Sequence, residues 1–90
     1  MKYEWDDNKC KANIAKHGVD FKSTEEFDWP TAIEVLDDRI EYDEDRWIAI
    51  GLIGTRLHVL IYTMRLDTIR IISLRKANKR EREFYEEKTK

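Results

Sequence analysis

The sequence predicts an α+β domain: an antiparallel sheet of about four main strands, packed by two N-terminal helices and one C-terminal helix. Three observations carry this. Two stretches with helix-capping residues lie before Pro30. Four runs rich in β-branched and aromatic residues follow between residues 32 and 75, with connections short enough for hairpins. A charged stretch with helical spacing begins at Ala77.

Taken in order, residues 2–5 suit a short strand. Asp6 is a good N-cap for a helix running to His17, and Gly18 is placed to close that helix in the left-handed conformation. Ser23 opens a second short helix, with Glu26 three residues on as a capping box and Pro30 as the stop. The strands are "AIEVL" (32–36), "RWIAIGLI" (46–53), "RLHVLIYTMR" (56–65) and "IRIISLR" (69–75), with "GT" and "LDT" as tight connections. In the last segment, Glu81, Phe84, Tyr85 and Lys88 recur at helical spacing.

Ninety residues make a single domain, 1–90, with no linker or repeat. Apolar residues at 41% and ten aromatic side chains argue for a packed core rather than a disordered chain. No apolar run approaches the roughly 18 residues of a membrane span and no secretory leader is visible, so a soluble cytoplasmic protein is expected. A lone Cys10 excludes an internal disulfide, and two histidines without a Cys/His/Asp set predict neither metal nor cofactor.

The formal charge of −2 conceals an asymmetry. Residues 1–45 carry 6 Lys/Arg against 14 Asp/Glu, a net of −8, and residues 46–90 carry 11 against 5, a net of +6. Within 65–82, Arg65, Arg70, Arg75, Lys76, Lys79, Arg80 and Arg82 face only Asp67 and Glu81. Such a basic end suits a polyanion or an acidic partner, against the plainer reading of a solvated face.

At about 100° per residue, Lys9, Asn13 and Lys16 share a sector of the first helix. His17 lies beside them, and Cys10 and Ile14 lie toward the core. A histidine on a last helical turn ordinarily needs no more explanation than the terminal carbonyls it stabilises. The order of residues adds to this. Trp5-Asp6, Lys9, Asn13, Lys16-His17-Gly18-Val19 and Phe21 resemble the start of the BrnT family, bacterial toxins of type II toxin–antitoxin systems neutralised by the BrnA antitoxin. Glu44-x-Arg46 before Ile50-Gly51, Thr63-x-Arg65 and "IRIISLRKA" extend the resemblance over nearly the whole chain. At Ile40-Glu41 the chain departs from the His-Ser pair common in that family.

The resemblance implies a RelE-like fold and a metal-independent endoribonuclease that cleaves messenger RNA and arrests growth. It also implies a hetero-oligomer with a BrnA-like antitoxin, a complex suited to binding its own operator DNA. The residues are compatible with that chemistry. Metal-free RNA cleavage needs proton removal from the 2′-OH, charge stabilisation at phosphorus and protonation of the leaving 5′-oxygen. His17 is the natural proton carrier, as base or as acid. Lys9 supplies a point charge and Arg65 and Arg75 bidentate forks. Lys16, Asn13, Ser73 and Lys76 are the candidates for holding substrate.

In a tight hairpin Arg65 and Arg75 stand roughly 20 Å apart at about 3.3 Å per residue, too far for one phosphate. Arg65 is grouped here with Lys9 and His17, and Arg75 stands as a second candidate; which is nearer His17 stays open. His58 reads as a packed or edge histidine and Cys10 as a small core residue. Trp5, Trp29 and Trp47 are able to stack bases, but core packing is favoured in so small a domain. Asp43-Glu44-Asp45 reads as a solvated loop. The rival from another class is a catalytically silent module that binds protein or nucleic acid through the basic C-terminal half. It has no need of His17 with Lys9 and Arg65.

Overall fold

The computed structural model describes residues 2–38 and 44–90. The order is β1 (Lys2–Glu4), α1 (Asp7–His17), 3-10 segments at Phe21–Glu26 and Trp29–Thr31, then β2 (Ile33–Leu36), β3 (Trp47–Ile53), β4 (Arg56–Arg65), β5 (Thr68–Lys76) and α2 (Lys79–Lys88). One sheet of order β1-β5-β4-β3-β2 joins all five strands. β2 to β5 pair antiparallel, and β1 pairs parallel to β5, Tyr3 opposite Ile69. The expectation of about four antiparallel strands is corrected by this fifth strand, which finds its partner some 65 residues away along the chain.

Both helices begin where side chains satisfy their free N–H groups. Asp6 accepts from the N–H groups of Asn8 and Lys9, and Gly18, at φ 71°, closes α1 with a bond from its N–H to the Ile14 carbonyl. Asn78 and Glu81 form a reciprocal capping box at the start of α2. The helix expected from Ser23 is instead the 3-10 segment Phe21–Glu26, opened by Asp20, whose side chain accepts from the Lys22 N–H. Asp20 caps the chain three residues earlier than Ser23.

The sheet is apolar on both faces. On one, Ala49, Leu60, Tyr62, Ile69, Ile71 and Leu74 pack with Cys10 of α1 and with Val19, Phe21 and Phe27. On the other, Ile50, Leu57, Val59 and Ala77 form a smaller cluster, against which Tyr85 of α2 packs. Tyr85 also donates its hydroxyl to the Thr31 carbonyl at 2.9 Å. Gly51 lets Phe27 lie on β3: a Cβ there would stand 2.6 Å from Phe27 Cζ.

α1 does not present the expected face. Ile14 is 41% exposed, whereas Asn13 is 7% exposed and turned inward. Its amide nitrogen donates to the Val19 and Leu74 carbonyls at 2.8 and 2.7 Å, and its oxygen accepts from the Leu74 N–H at 3.3 Å. These bonds roll the helix so that position 13, not 14, meets the sheet. Ile40, Glu41 and Asp43 lie outside the described residues.

Candidate active-site cleft

β1 pairs with β5 only as far as Arg70, which leaves the next stretch of that edge to α1. Here β5 carries a bulge. Ile61 pairs with Ser73 and Tyr62 with Ile71, so Ile72 is the extra residue. A bulge re-aims side chains, and Ile72 and Ser73, successive in sequence, line one shallow cleft of about 230 Å³ with Lys9, Ala12, Asn13, Lys16 and His17. Asn13 is the bolt between the two walls, because its amide bonds both backbone groups of Leu74, the residue after Ser73.

Five of the eight site residues expected from sequence therefore meet: Lys9, Asn13, Lys16, His17 and Ser73. Lys9 and Lys16 are exposed and His17 is half-buried. Both Asn13 amide N–H groups are taken by backbone carbonyls and its oxygen accepts from the Leu74 N–H, so the side chain fixes the spacing of the cleft walls and leaves one acceptor position on its oxygen.

The arginines divide differently from the expected grouping. Arg75 lies two residues from Ser73, about 7 Å along the strand, and Lys76 follows it, exposed. Arg65 pairs with Thr68 at the hairpin end, four residues from the Ile61–Ser73 pair, about 13 Å. The register thus separates Arg65 from Lys9 and His17. Arg65 is exposed and sits 3.3 Å from Glu44. Arg75 is a fork on Glu81, with both hydrogen bonds at 2.8 Å. These bonds hold the Arg75 guanidinium above its ordinary value and the Glu81 carboxyl below its own, against the opposing effect of burial. Three guanidinium N–H donors remain beyond these two, of which one N–H group reaches the Lys76 carbonyl at 3.4 Å.

Arg70, read from sequence only as part of a basic run, lies on the same strand just before the bulge and reaches Glu4 at 3.4 Å. Its alternation with Ile72 in "IRIIS" was the available signal. His58 is buried, and its Nδ1 lies 2.9 Å from the Arg56 carbonyl, which requires the proton on that nitrogen. Burial pushes the Cys10 thiol up, and Asp20, accepting from its Sγ at 3.4 Å, adds to this, so it is a poor nucleophile. Among the described residues no three His, Cys, Asp or Glu side chains are grouped to hold a metal ion. No described helix is long and apolar enough to cross a membrane.

The profile of a family of ribonuclease toxins, BrnT, of type II toxin–antitoxin systems matches residues 5–81. The chain belongs to the BrnT family. Its cleft residues, its bulge and both arginines flanking that bulge all fall inside the matched span. No curated relative matches the chain. Membership makes this a ribonuclease toxin by family, and a toxin of this type is paired with an antitoxin.

Proposed function

We propose that this BrnT-family chain is a metal-independent endoribonuclease that cleaves messenger RNA in the cytoplasm and arrests growth. The observation that carries the reading is the gathering of Lys9, Lys16, His17 and Ser73 around the β5 bulge. A phosphodiester seated there meets two ammonium groups, a hydroxyl and an imidazole, with Arg75 about 7 Å further along the strand. The 2′-oxygen attacks phosphorus as its proton departs, negative charge grows on the non-bridging oxygens, and the bond to the 5′-oxygen breaks as that oxygen takes up a proton. His17 serves as the proton carrier at one of the two ends, and solvent water exchanges the proton at the other. Lys9 and Lys16 stabilise the charge at phosphorus, and Ser73 orients a phosphate oxygen. Arg75, Arg70 and Lys76 hold the adjoining phosphates, and Arg65 holds the strand further on.

A BrnA-like antitoxin neutralises the toxin by covering this cationic surface, and the hetero-oligomer binds its own operator DNA. Association between the pair weakens as salt rises, because charge complementarity is screened. The catalytic reading is tested by His17→Gln, which keeps size and polarity while removing titration. RNA cleavage in EDTA should fall by about 10²–10⁴-fold. The change costs up to about 2 kcal/mol if His17 only stabilises the end of α1, so thermal melting is followed alongside. A folded variant that cuts RNA and stops growth at the wild-type rate refutes the role.

A further inference from the structure

A second and larger cavity, about 540 Å³, is lined by Tyr3, Trp5, Phe27, Trp29 and Glu25, none of which touches the cleft. Its rings are held by edge contacts. Trp29 stands 4.8 Å from Phe27 at 66° and 5.5 Å from Tyr62 at 89°, and Trp5 stands 6.2 Å from Phe21 at 80°. The Trp29 Nε1–H donates to the Tyr3 hydroxyl oxygen at 2.7 Å. Rings fixed in this way cannot fold into the space they enclose, and with its indole N–H already bonded, Trp29 offers π surface to an occupant. Glu25 is exposed, and its carboxylate makes no hydrogen bond or ion pair among the described residues.

An aromatic wall with an unpaired carboxylate at its rim attracts a cation, through the negative faces of the rings and through the charge itself. Stacked nucleobases also suit such rings, but the surroundings disfavour the phosphates that come with them. Glu25 also lines an adjoining hollow with Asp20 and Glu26 against Lys22. The sequence neighbours of the lining residues add Asp6 and Asp28, and Glu4, which Arg70 pairs, against Lys2, so acidic groups predominate around the cavity. Between cationic side chains, guanidinium fits better than ammonium: it is planar, stacks on indole, and forks onto a carboxylate.

We infer that this cavity receives an arginine side chain presented by a polypeptide partner, its guanidinium stacked on the indoles and paired with Glu25. The site lies apart from the ribonuclease reading and stands whether or not that reading holds. The probe is the capped tripeptide Ala-Arg-Ala, titrated into the full chain while the three indole N–H signals are followed by NMR. Trp5 and Trp29 signals should move saturably, and that of Trp47, which does not line the cavity, should stay. Replacing arginine by citrulline, its neutral isostere, should weaken binding about 5- to 30-fold. Glu25→Gln, an exposed substitution that leaves the rings in place, should weaken it comparably. Absence of saturable shifts, equal affinity for the citrulline peptide, wild-type affinity in Glu25→Gln, or displacement of the peptide by a uridine trinucleotide overturns the assignment.

Discussion

Replacing Asn13 probes the bolt that sets the width of the cleft. Asn13→Ala removes three hydrogen bonds at a net cost of roughly 0.5–1.5 kcal/mol each, so about 2–4 kcal/mol in all. For a domain of this size that lowers Tm by about 10–25 °C. Asn13→Asp is the sharper test because it keeps the shape. Its carboxylate still accepts from the Leu74 N–H but faces the Leu74 and Val19 carbonyls, which reject it, in a site only 7% exposed. The folded protein therefore raises the pKa of that aspartate above its unfolded value. A raised folded pKa means stability present below the unfolded value, near pH 4, and lost as pH rises through the folded value. Asn13→Asp should be less stable than Asn13→Ala at pH 7 and should regain ground toward pH 4, where the protonated acid donates to one carbonyl. Urea denaturation followed by circular dichroism at both pH values measures this. Equal stability of the two variants at both pH values refutes the assigned role of the amide.

Other substitutions bear on single features. Gly51→Ala puts a methyl group within 2.6 Å of Phe27 and should cost about 1–3 kcal/mol as overpacking, read as a lower urea midpoint at unchanged slope. Leu66 sits in the turn between β4 and β5 at φ 57° and is fully exposed. Leu66→Gly should raise stability by roughly 1 kcal/mol, since left-handed backbone disfavours a side chain; an unchanged melting temperature would show that the turn carries no strain. The Arg75–Glu81 pair lowers the Glu81 pKa, so its contribution is present above the unfolded value, about 4.3, and is lost as pH falls through the folded one. Arg75→Ala should therefore flatten the acid side of the stability profile, and an unaltered profile would count against the pair.

The sequence displays what is local and hides what is distant. Asp6 and Gly18 mark α1 because capping is decided within four residues, the helical spacing of Glu81, Phe84, Tyr85 and Lys88 marks α2, and β-branched runs mark β2 to β5 within one or two residues of their bounds. Periodicity also groups Lys9, Lys16 and His17 correctly. It brings Asn13 into the same group but misses its burial, and it turns Ile14 coreward where the structure exposes it, since a hydropathy pattern reads an amide as outward while its partner is a backbone group 61 positions away. The bulge at Ile72 is invisible for the same reason, because it exists only in the register between two strands. That register also leaves Arg65 at the hairpin end and Arg75 two residues beyond Ser73, with its side chain on Glu81 of α2.

The span between the two walls of the cleft also has a consequence in time. Lys9 to His17 come from one end of the chain, and Ile72 and Ser73 from beyond the middle of its last hairpin. At the ordinary pace of synthesis, about 5–20 residues per second, roughly 3–11 s pass between the making of His17 and the making of Ser73. Throughout that interval α1 has neither the β5 edge nor Leu74 to hold it. A ribosome translating this message is thus accompanied by an incomplete nuclease, and the growing chain acquires its cleft only after the codons for β5 have been read.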